Sequence, residues 1–130
     1  MKVLSTISAT TVGGRSGKGK TSDSRLEAQF SPTGTTPEHL FALGYSACFG
    51  SALQAVAGAQ KVKLPPDFAV TVTVPLKMDD QGGYFIAADL KVAIPGMEKA
   101  EAEKLVHAAH QVCPYSKATR NNIEVTVGVA

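Results

Sequence analysis

Tryptophan is absent from this chain of 130 residues, and aromatic residues make up only 6% of it. So few rings argue against a surface on which nucleotide bases stack. A dominant charge is lacking too, because 13 Lys and Arg residues against 11 Asp and Glu residues leave a net charge of +2. Without a basic block, the sequence has no electrostatic footprint for nucleic acid or an anionic membrane. We expect neither as a partner.

Cysteine is also scarce, since Cys48 and Cys113 are the only two. They make neither a disulfide framework nor the CxxC pair of a zinc ribbon. The N-terminal residues contain no apolar stretch of the kind found in signal peptides, so we expect a cytoplasmic protein. In a reducing compartment, two distant cysteines are most often small buried hydrophobic residues.

Residues that build a core are plentiful, because 44% of the chain is hydrophobic and 18% is charged. That balance differs from the composition of disordered chains. The length suits one domain, and we predict a single domain over residues 1–130.

The first thirty residues predict a small antiparallel meander. Residues 2–12 are rich in β-branched side chains, and the segment 13–20 contains four glycines, which is typical of a turn or bulge. Leu26, Ala28 and Phe30 then alternate with polar residues, as in a half-buried strand.

A long apolar helix is predicted next. Thr35, Thr36, Pro37 and Glu38 are residue types that favour a helix start, and residues 40–59 contain no charge. Such a stretch would cover roughly 30 Å, which matches a membrane span. We reject that reading because the segment is rich in Ala, Gly and Ser and has lysines at one end only. A helix apolar on nearly all sides is also typical of the centre of a soluble fold or dimer.

The remaining chain predicts two long strands, a helix and a last strand. These cover residues 68–76, 84–94, 98–112 and 123–127, with a turn at 79–83 and Pro114 ending the helix. Hairpins outnumber crossovers, so the fold class is α+β: a mostly antiparallel sheet packed with two main helices, one of them long and apolar.

Cys48 falls in the middle of the uncharged helix, too far from its start to benefit from the helix dipole. An unassisted thiol with a pKa of about 8.5 is only a few per cent ionised at neutral pH, and burial lowers that fraction. A reactive Cys48 therefore needs a cation from elsewhere in the chain. Arg15, alone in the glycine-rich turn, is the candidate, and Glu38 could hold its guanidinium through two hydrogen bonds.

Each of these charged residues also has a plainer interpretation. Arg15 could be a solvated side chain on a loop tip. Glu38 could be the acid of a capping box with Thr35, three residues before it.

Cys113 is predicted in the last turn of the second helix, where exposed carbonyl groups disfavour a thiolate. It is therefore a poor first nucleophile and a plausible second thiol. His107 and His110 could share its helix face, so a zinc site from Cys48, Cys113 and a histidine is conceivable. No tight ligand spacing supports that site, and we expect no metal.

Four segments together resemble the organic hydroperoxide resistance proteins, within the superfamily of osmotically inducible hydroperoxide reductases. They are GGR at 13–15, PEHLFA at 37–42, GYSACF at 44–49 and AHQVCPYS at 109–116. The resemblance covers nearly the whole chain in order, and VCPYS favours the first branch. The chain departs from the family pattern at Ser16, Thr36, His39 and Lys117, and in the short segment 31–36. None of these departures removes a catalytic group.

The resemblance implies a cofactor-free thiol peroxidase that reduces organic hydroperoxides in oxidative-stress defence. In that family, the cysteine matching Cys48 attacks the peroxide and the one matching Cys113 forms a disulfide with it. The arginine matching Arg15 activates the thiolate, and the glutamate matching Glu38 holds the arginine. The implied fold is an intertwined homodimer that covers the long helices, and the implied reductant is a lipoylated protein.

The substrate side of the site is a hypothesis from the helix sequence. Phe41, Tyr45 and Phe49 would offer an apolar lining that favours alkyl or lipid hydroperoxides over hydrogen peroxide. The competing interpretation is a non-enzymatic dimer that senses redox state or binds an apolar ligand.

Overall fold

The computed structural model describes residues 1–130. Its contacts divide the chain into two compact units, residues 1–40 and residues 41–130. The expectation that residues 1–130 form a single domain stays a prediction. The long helix α1, Pro37–Ala59, begins in the first unit and continues through the second.

The first unit contains the predicted antiparallel meander. Strand β2 lies between β1 and β3 in a three-stranded antiparallel sheet. The strands are β1 Ala9–Val12, β2 Lys18–Thr21 and β3 Glu27–Gln29. The strand expected from Lys2 begins only at Ala9, because its partner β2 ends at Thr21; just before it, Ser8 accepts a hydrogen bond from the Ser22 amide at 2.8 Å.

The second unit contains a three-stranded sheet in which β7 is central. Strand β4 pairs with β7 antiparallel and β8 pairs with β7 parallel, while β5 and β6 form a separate hairpin. The strands are β4 Ala69–Thr73, β5 Leu76–Met78, β6 Tyr84–Ile86, β7 Ala88–Ala93 and β8 Val125–Val129. The α+β class with mostly antiparallel pairing is confirmed.

Both long strands predicted for this unit are interrupted. The first breaks before Leu76, where Pro75 has no N–H group to give to a ladder. The second breaks at Ala87, whose amide donates to the carbonyl of Pro75 at 3.3 Å. Ala87 and Ala88 are both buried, so the alternation of inward and outward side chains slips by one residue here.

Two further helices follow β7, and the sequence predicted only one of them. Helix α2, Lys99–Val112, agrees with the prediction within one residue. The sequence does not predict helix α3, Pro114–Thr119, because a proline after a helical pattern indicates a helix end. Proline has no N–H to offer inside a helix, but at the first helical position that group has no partner anyway, so Pro114 ends one helix and begins the next.

The core of the second unit lies between helices α1 and α2 and the sheet around β7. Tyr45, Phe49 and Leu53 of α1 are fully buried against it, one turn apart. The other large, fully buried members are Leu90, Val92, Leu105 and Cys113.

Helix α1 leaves much of its apolar surface uncovered. By length and composition alone it could cross a membrane, a test that core helices of soluble proteins also pass, and 28% of that stretch is buried within the chain. Leu43, for example, is 65% exposed. Exposed apolar patches commonly mark sites of interaction.

The burial of Leu90 gives a first prediction. Leu90→Ala should reduce the free energy of unfolding by about 2–5 kcal/mol, because it removes buried methyl groups and leaves a cavity. Urea denaturation followed by circular dichroism measures the change. The matched control is Leu26→Ala, because Leu26 is 46% exposed and lies outside the core, so its truncation should cost clearly less. Equal losses would show that the core does not lie where the structure puts it.

Candidate active site

Arg15 projects from a turn whose shape depends on glycine. A short 3-10 turn, Gly14–Ser16, joins β1 to β2, and Gly13 has a φ of +95°. A Cβ atom on Gly17 would lie 1.8 Å from the carbonyl oxygen of Val12. The backbone therefore closes tightly under Arg15, and this closure needs residues without side chains.

Glu38 holds the Arg15 side chain through two hydrogen bonds, as the sequence suggested. Arg15 Nη2 donates to Glu38 Oε1 at 2.6 Å and Nη1 donates to Oε2 at 3.1 Å. The donated hydrogen bonds lower the pKa of Glu38 to about 2, against the opposing effect of desolvation. The same contact raises the pKa of Arg15. The two-point contact fixes the plane of the guanidinium and keeps both charges in place at neutral pH.

The start of α1 is capped by Thr36 and His39, and not by Thr35 and Glu38. The Thr36 amide donates to His39 Nδ1 at 3.1 Å, and the Thr36 hydroxyl lies 2.8 Å from the same nitrogen. Because the helix begins at Pro37, Thr36 is the capping residue and His39 takes the place that Glu or Gln has in a capping box. The capping box of Thr35 with Glu38 is therefore wrong, and Glu38 is free to bind Arg15.

The second unit brings the two cysteines together. The sulfur atoms of Cys48 and Cys113 are in contact, 3.6 Å apart. Cys113 is buried and Cys48 is partly exposed. Sulfur atoms in a disulfide are about 2.0 Å apart, so a bond between these two requires only a small local movement.

The surroundings of Cys48 within this unit raise its thiol pKa. Burial is the largest cause, and the contact with Cys113 adds to it. The backbone N–H of Tyr115, in the first turn of α3, acts in the opposite direction by favouring the thiolate. The net shift is upward, so these surroundings favour the neutral thiol over the thiolate.

Cys113 lies between two helices, which differs from the prediction. It follows the last residue of α2, where its amide donates to the carbonyl of Ala109 at 2.9 Å, and it directly precedes Pro114 of α3. The sequence placed it inside the last turn of α2, because α3 was not recognised. The junction matters for the site, since the Tyr115 amide just after it acts to lower the pKa of Cys48.

The predicted substrate lining is largely part of the core. Tyr45 and Phe49 are fully buried, and Phe41 is partly buried. Their contact with a substrate stays a prediction. Phe41 and Tyr45 form an aromatic cluster with Tyr115, whose ring is 6.2 Å from Phe41 and 5.7 Å from Tyr45.

Tyr115 itself was missed as a site residue. Its side chain is 39% exposed and packs over Gly44, where a Cβ atom would lie 3.1 Å from the phenol oxygen. Its place in the VCPYS segment was the one signal in the sequence.

No group of three His, Cys, Asp or Glu side chains in the chain is arranged to hold a metal ion. The zinc alternative needed Cys48, Cys113 and a histidine. His110 instead forms a hydrogen bond of 2.8 Å between its Nδ1 and Ser116 Oγ. That alternative therefore has no structural support.

Known proteins are similar to this chain over nearly its whole length. A family model described as OsmC-like protein matches residues 30–128. An organic hydroperoxide resistance protein from Xanthomonas axonopodis pv. citri (strain 306) is 47% identical, covering 99% of this chain and 96% of that protein. The organic hydroperoxide resistance protein OhrA of Bacillus subtilis (strain 168) is 44% identical over 98% of this chain and 96% of its own.

Solved structures agree with the sequence comparison. The organic hydroperoxide resistance protein OhrB of Bacillus subtilis superposes with a TM-score of 0.91 at 39% identity, covering 98% of this chain and all of that one. A crystal structure of an organic hydroperoxide resistance protein from Legionella pneumophila superposes with a TM-score of 0.92 at 39% identity, covering 99% of both chains.

The Arg15–Glu38 contact gives a second prediction. In Arg15→Met, the pKa of Glu38 should rise from about 2 toward its ordinary value near 4.5, because the donated hydrogen bonds are lost. The carboxyl carbon shift of Glu38 in an NMR titration measures this directly. The stability that the contact supplies to the wild type is complete above pH 4.5 and is lost as the pH falls toward 2.

The control for this titration is Arg25→Met. Arg25 lies beside Asp23, with 3.7 Å between Nε and Oδ2, so its loss should leave Glu38 unchanged. A Glu38 carboxyl that is still fully ionised at pH 3 in Arg15→Met would mean that another group holds its pKa down.

Proposed function

Since the chain belongs to the OsmC-like family, in its organic hydroperoxide resistance branch, we propose that it is a thiol-dependent peroxidase that reduces organic hydroperoxides to alcohols. Family membership supports a role in organic hydroperoxide resistance. The observation that carries the finer proposal is the contact between the Cys48 and Cys113 thiols at 3.6 Å. A structural cysteine pair needs no such contact, whereas a redox-active pair does.

In the first step, the Cys48 thiolate attacks the terminal oxygen of the hydroperoxide. The oxygen–oxygen bond breaks, Cys48 becomes a sulfenic acid, and the alkoxide leaves and takes up a proton to become the alcohol. Cys48 suits this step because it is the more exposed of the two cysteines and is therefore the one that a substrate reaches.

In the second step, Cys113 attacks the sulfur of the Cys48 sulfenic acid. A sulfur–sulfur bond forms as the sulfur–oxygen bond breaks, and the hydroxide leaves as water with the thiol proton. Burial of Cys113 keeps it away from peroxide until Cys48 has reacted. An external dithiol, which we propose to be a lipoylated protein, then reduces the disulfide; no cofactor of the chain's own takes part.

The thiolate in this cycle needs a cation, because burial raises the pKa of Cys48. We assign that part to Arg15, held by Glu38. Lowering the pKa of a thiol from about 8.5 to about 5.5 raises its thiolate fraction at neutral pH roughly thirtyfold. The same guanidinium would donate hydrogen bonds to the departing alkoxide.

A second copy of this chain is the partner that we propose for the uncovered apolar surfaces. Apart from α1, the exposed large hydrophobic side chains of the second unit include a cluster on the β5–β6 hairpin: Leu76, Met78, Tyr84 and Phe85. Surfaces of this kind are typical of obligate homodimers. An apolar surrounding beside Phe41 and Tyr115 also favours alkyl or lipid hydroperoxides over hydrogen peroxide.

The cysteine roles are tested by peroxide consumption with dihydrolipoamide as reductant. The wild type should turn over with cumene hydroperoxide and more slowly with hydrogen peroxide. Cys48→Ser should be inactive, because the nucleophile is lost. Cys113→Ser should react once and stop at the sulfenic or sulfinic acid, seen by mass spectrometry.

Three outcomes would overturn these assignments. Normal turnover by Cys113→Ser would remove the disulfide step. No turnover by the wild type, with both thiols still titratable, would favour the non-enzymatic dimer that binds an apolar ligand; oxidation without recycling would favour the redox sensor.

The role of Arg15 predicts a shift in thiol reactivity. Arg15→Ala should raise the pKa of Cys48, because the cation that favours its thiolate is lost. The rate of alkylation by iodoacetamide as a function of pH, in a Cys113→Ser background, reports that pKa. Arg25→Ala is the control and should leave the profile unchanged. Identical profiles for all variants would make Arg15 a loop residue with no part in activation.

A further inference from the structure

A chain of hydrogen bonds runs through the otherwise apolar core next to the cysteines. The Tyr45 hydroxyl lies 2.8 Å from Ser116 Oγ and 3.3 Å from Thr119 Oγ1, and Ser116 Oγ lies 2.8 Å from His110 Nδ1. Ser116 and Tyr45 are fully buried, and Thr119 is buried. None of the catalytic steps above uses these groups, so the chain of hydrogen bonds requires its own explanation.

The direction of every hydrogen bond in this chain follows from one carbonyl group. Thr119 Oγ1 donates to the carbonyl oxygen of Ser116, which can only accept. Thr119 must then accept from Tyr45, so Tyr45 must accept from Ser116, and Ser116 must accept from His110. The proton of the imidazole is therefore on Nδ1.

This arrangement holds in either charge state of His110. A protonated imidazole also donates from Nδ1, so the order of donors does not change with its charge. Burial lowers the pKa of His110, and the charges of Arg120 and His107 add to the effect. A network with one allowed order of donors is a rigid connection, because no alternative arrangement satisfies all its members.

The network ties together the two segments that carry the cysteines. Tyr45 precedes Cys48 by three residues on α1, and Ser116 follows Cys113 by three residues on α3. His110 precedes Cys113 by three residues on α2, so the network holds the residues on both sides of the α2–α3 junction. The two sulfur atoms, 3.6 Å apart, therefore belong to the segments that this network joins.

We propose that Ser116, Tyr45 and His110 are positioning residues that set the approach of Cys113 to Cys48 and so determine the rate at which their disulfide forms. The inference rests on the proposed function for the identity of the oxidised Cys48 species. The step itself is the attack of Cys113 on that species, with one sulfur–sulfur bond formed and one water molecule released. Small displacements at the α2–α3 junction change the alignment of this attack, and alignment controls intramolecular rates strongly.

Removing one hydroxyl tests the proposal. Ser116→Ala leaves His110 Nδ1–H without an acceptor and breaks the link to Tyr45. Disulfide formation after one equivalent of cumene hydroperoxide should slow by roughly tenfold, and dimedone should trap more Cys48 sulfenic acid than in the wild type. The oxidation of Cys48 itself should be affected much less.

Ser46→Ala is the matched control. Its hydroxyl donates to the carbonyl of Leu43 within α1 at 2.8 Å and connects no two elements. It should form the disulfide at the wild-type rate. If Ser116→Ala and Ser46→Ala form it equally fast, the proposal is wrong.

A second pair of variants covers the case in which Ser116→Ala does not fold. His110→Ala should slow disulfide formation, and His110→Asn should restore much of the rate, because an amide N–H can donate as Nδ1 does. A packing effect alone would not distinguish the two replacements in this way. Equal rates for both would contradict a role for the hydrogen bond.

Diamide separates this proposal from the proposed function. Diamide is a two-electron oxidant that adds to one thiol and is displaced by the other, so it forms the Cys48–Cys113 disulfide without peroxide chemistry. Slower formation in Ser116→Ala with diamide would support the positioning role even if peroxide is not a substrate. Unchanged formation with diamide, in a variant that folds, would overturn it.

Discussion

The Cys48 thiol lies in contact with the buried Cys113 thiol, and the burial that brings them together also disfavours the charged form on which thiol chemistry depends. The second unit itself contains one feature that opposes this conflict, and we propose Arg15 as another. Within the second unit, the Tyr115 amide lowers the pKa of Cys48 and so opposes part of the effect of burial. In the first unit, Glu38 holds Arg15 in one orientation, which makes it a fixed cation with little freedom left to lose.

Helix α1 carries residues of both features: Glu38, which holds Arg15, lies near its start, and Cys48 lies in its middle. The absence of charge between residues 40 and 59 lets the helix bury Tyr45 and Phe49 fully and Cys48 partly. The same composition leaves apolar surface exposed in a single chain. The uncharged sequence of α1 therefore accounts both for a site of low polarity and for the proposed association of two copies.

Sequence patterns predicted the elements whose signals are periodic: the meander, the long helix, α2 and the α+β class. These patterns failed where the same residue type is compatible with two different local structures. Pro114 can end a helix or begin one, and Pro75 interrupts a run of alternating valines that otherwise indicates one strand. The cysteine pairing came from the family resemblance, because no local pattern relates residues 65 positions apart. Tyr115 and the hydroxyl network went unrecognised for the same reason: their partners are assembled by tertiary packing alone.

The order of events in the proposed cycle gives a reason for a polar network in the core, namely to hold Cys113 in place beside the oxidised Cys48. A sulfenic acid at Cys48 can form a disulfide with Cys113 or react with a second peroxide to give the irreversible sulfinic acid. The second reaction accelerates with peroxide concentration, whereas the first depends only on how Cys113 is held. Apolar packing alone tolerates small shifts of neighbouring side chains, but directional hydrogen bonds from Tyr45 through Ser116 to His110 do not. In the proposed cycle, survival of the protein at high peroxide would thus depend on the geometry of the α2–α3 junction as much as on the reactivity of Cys48.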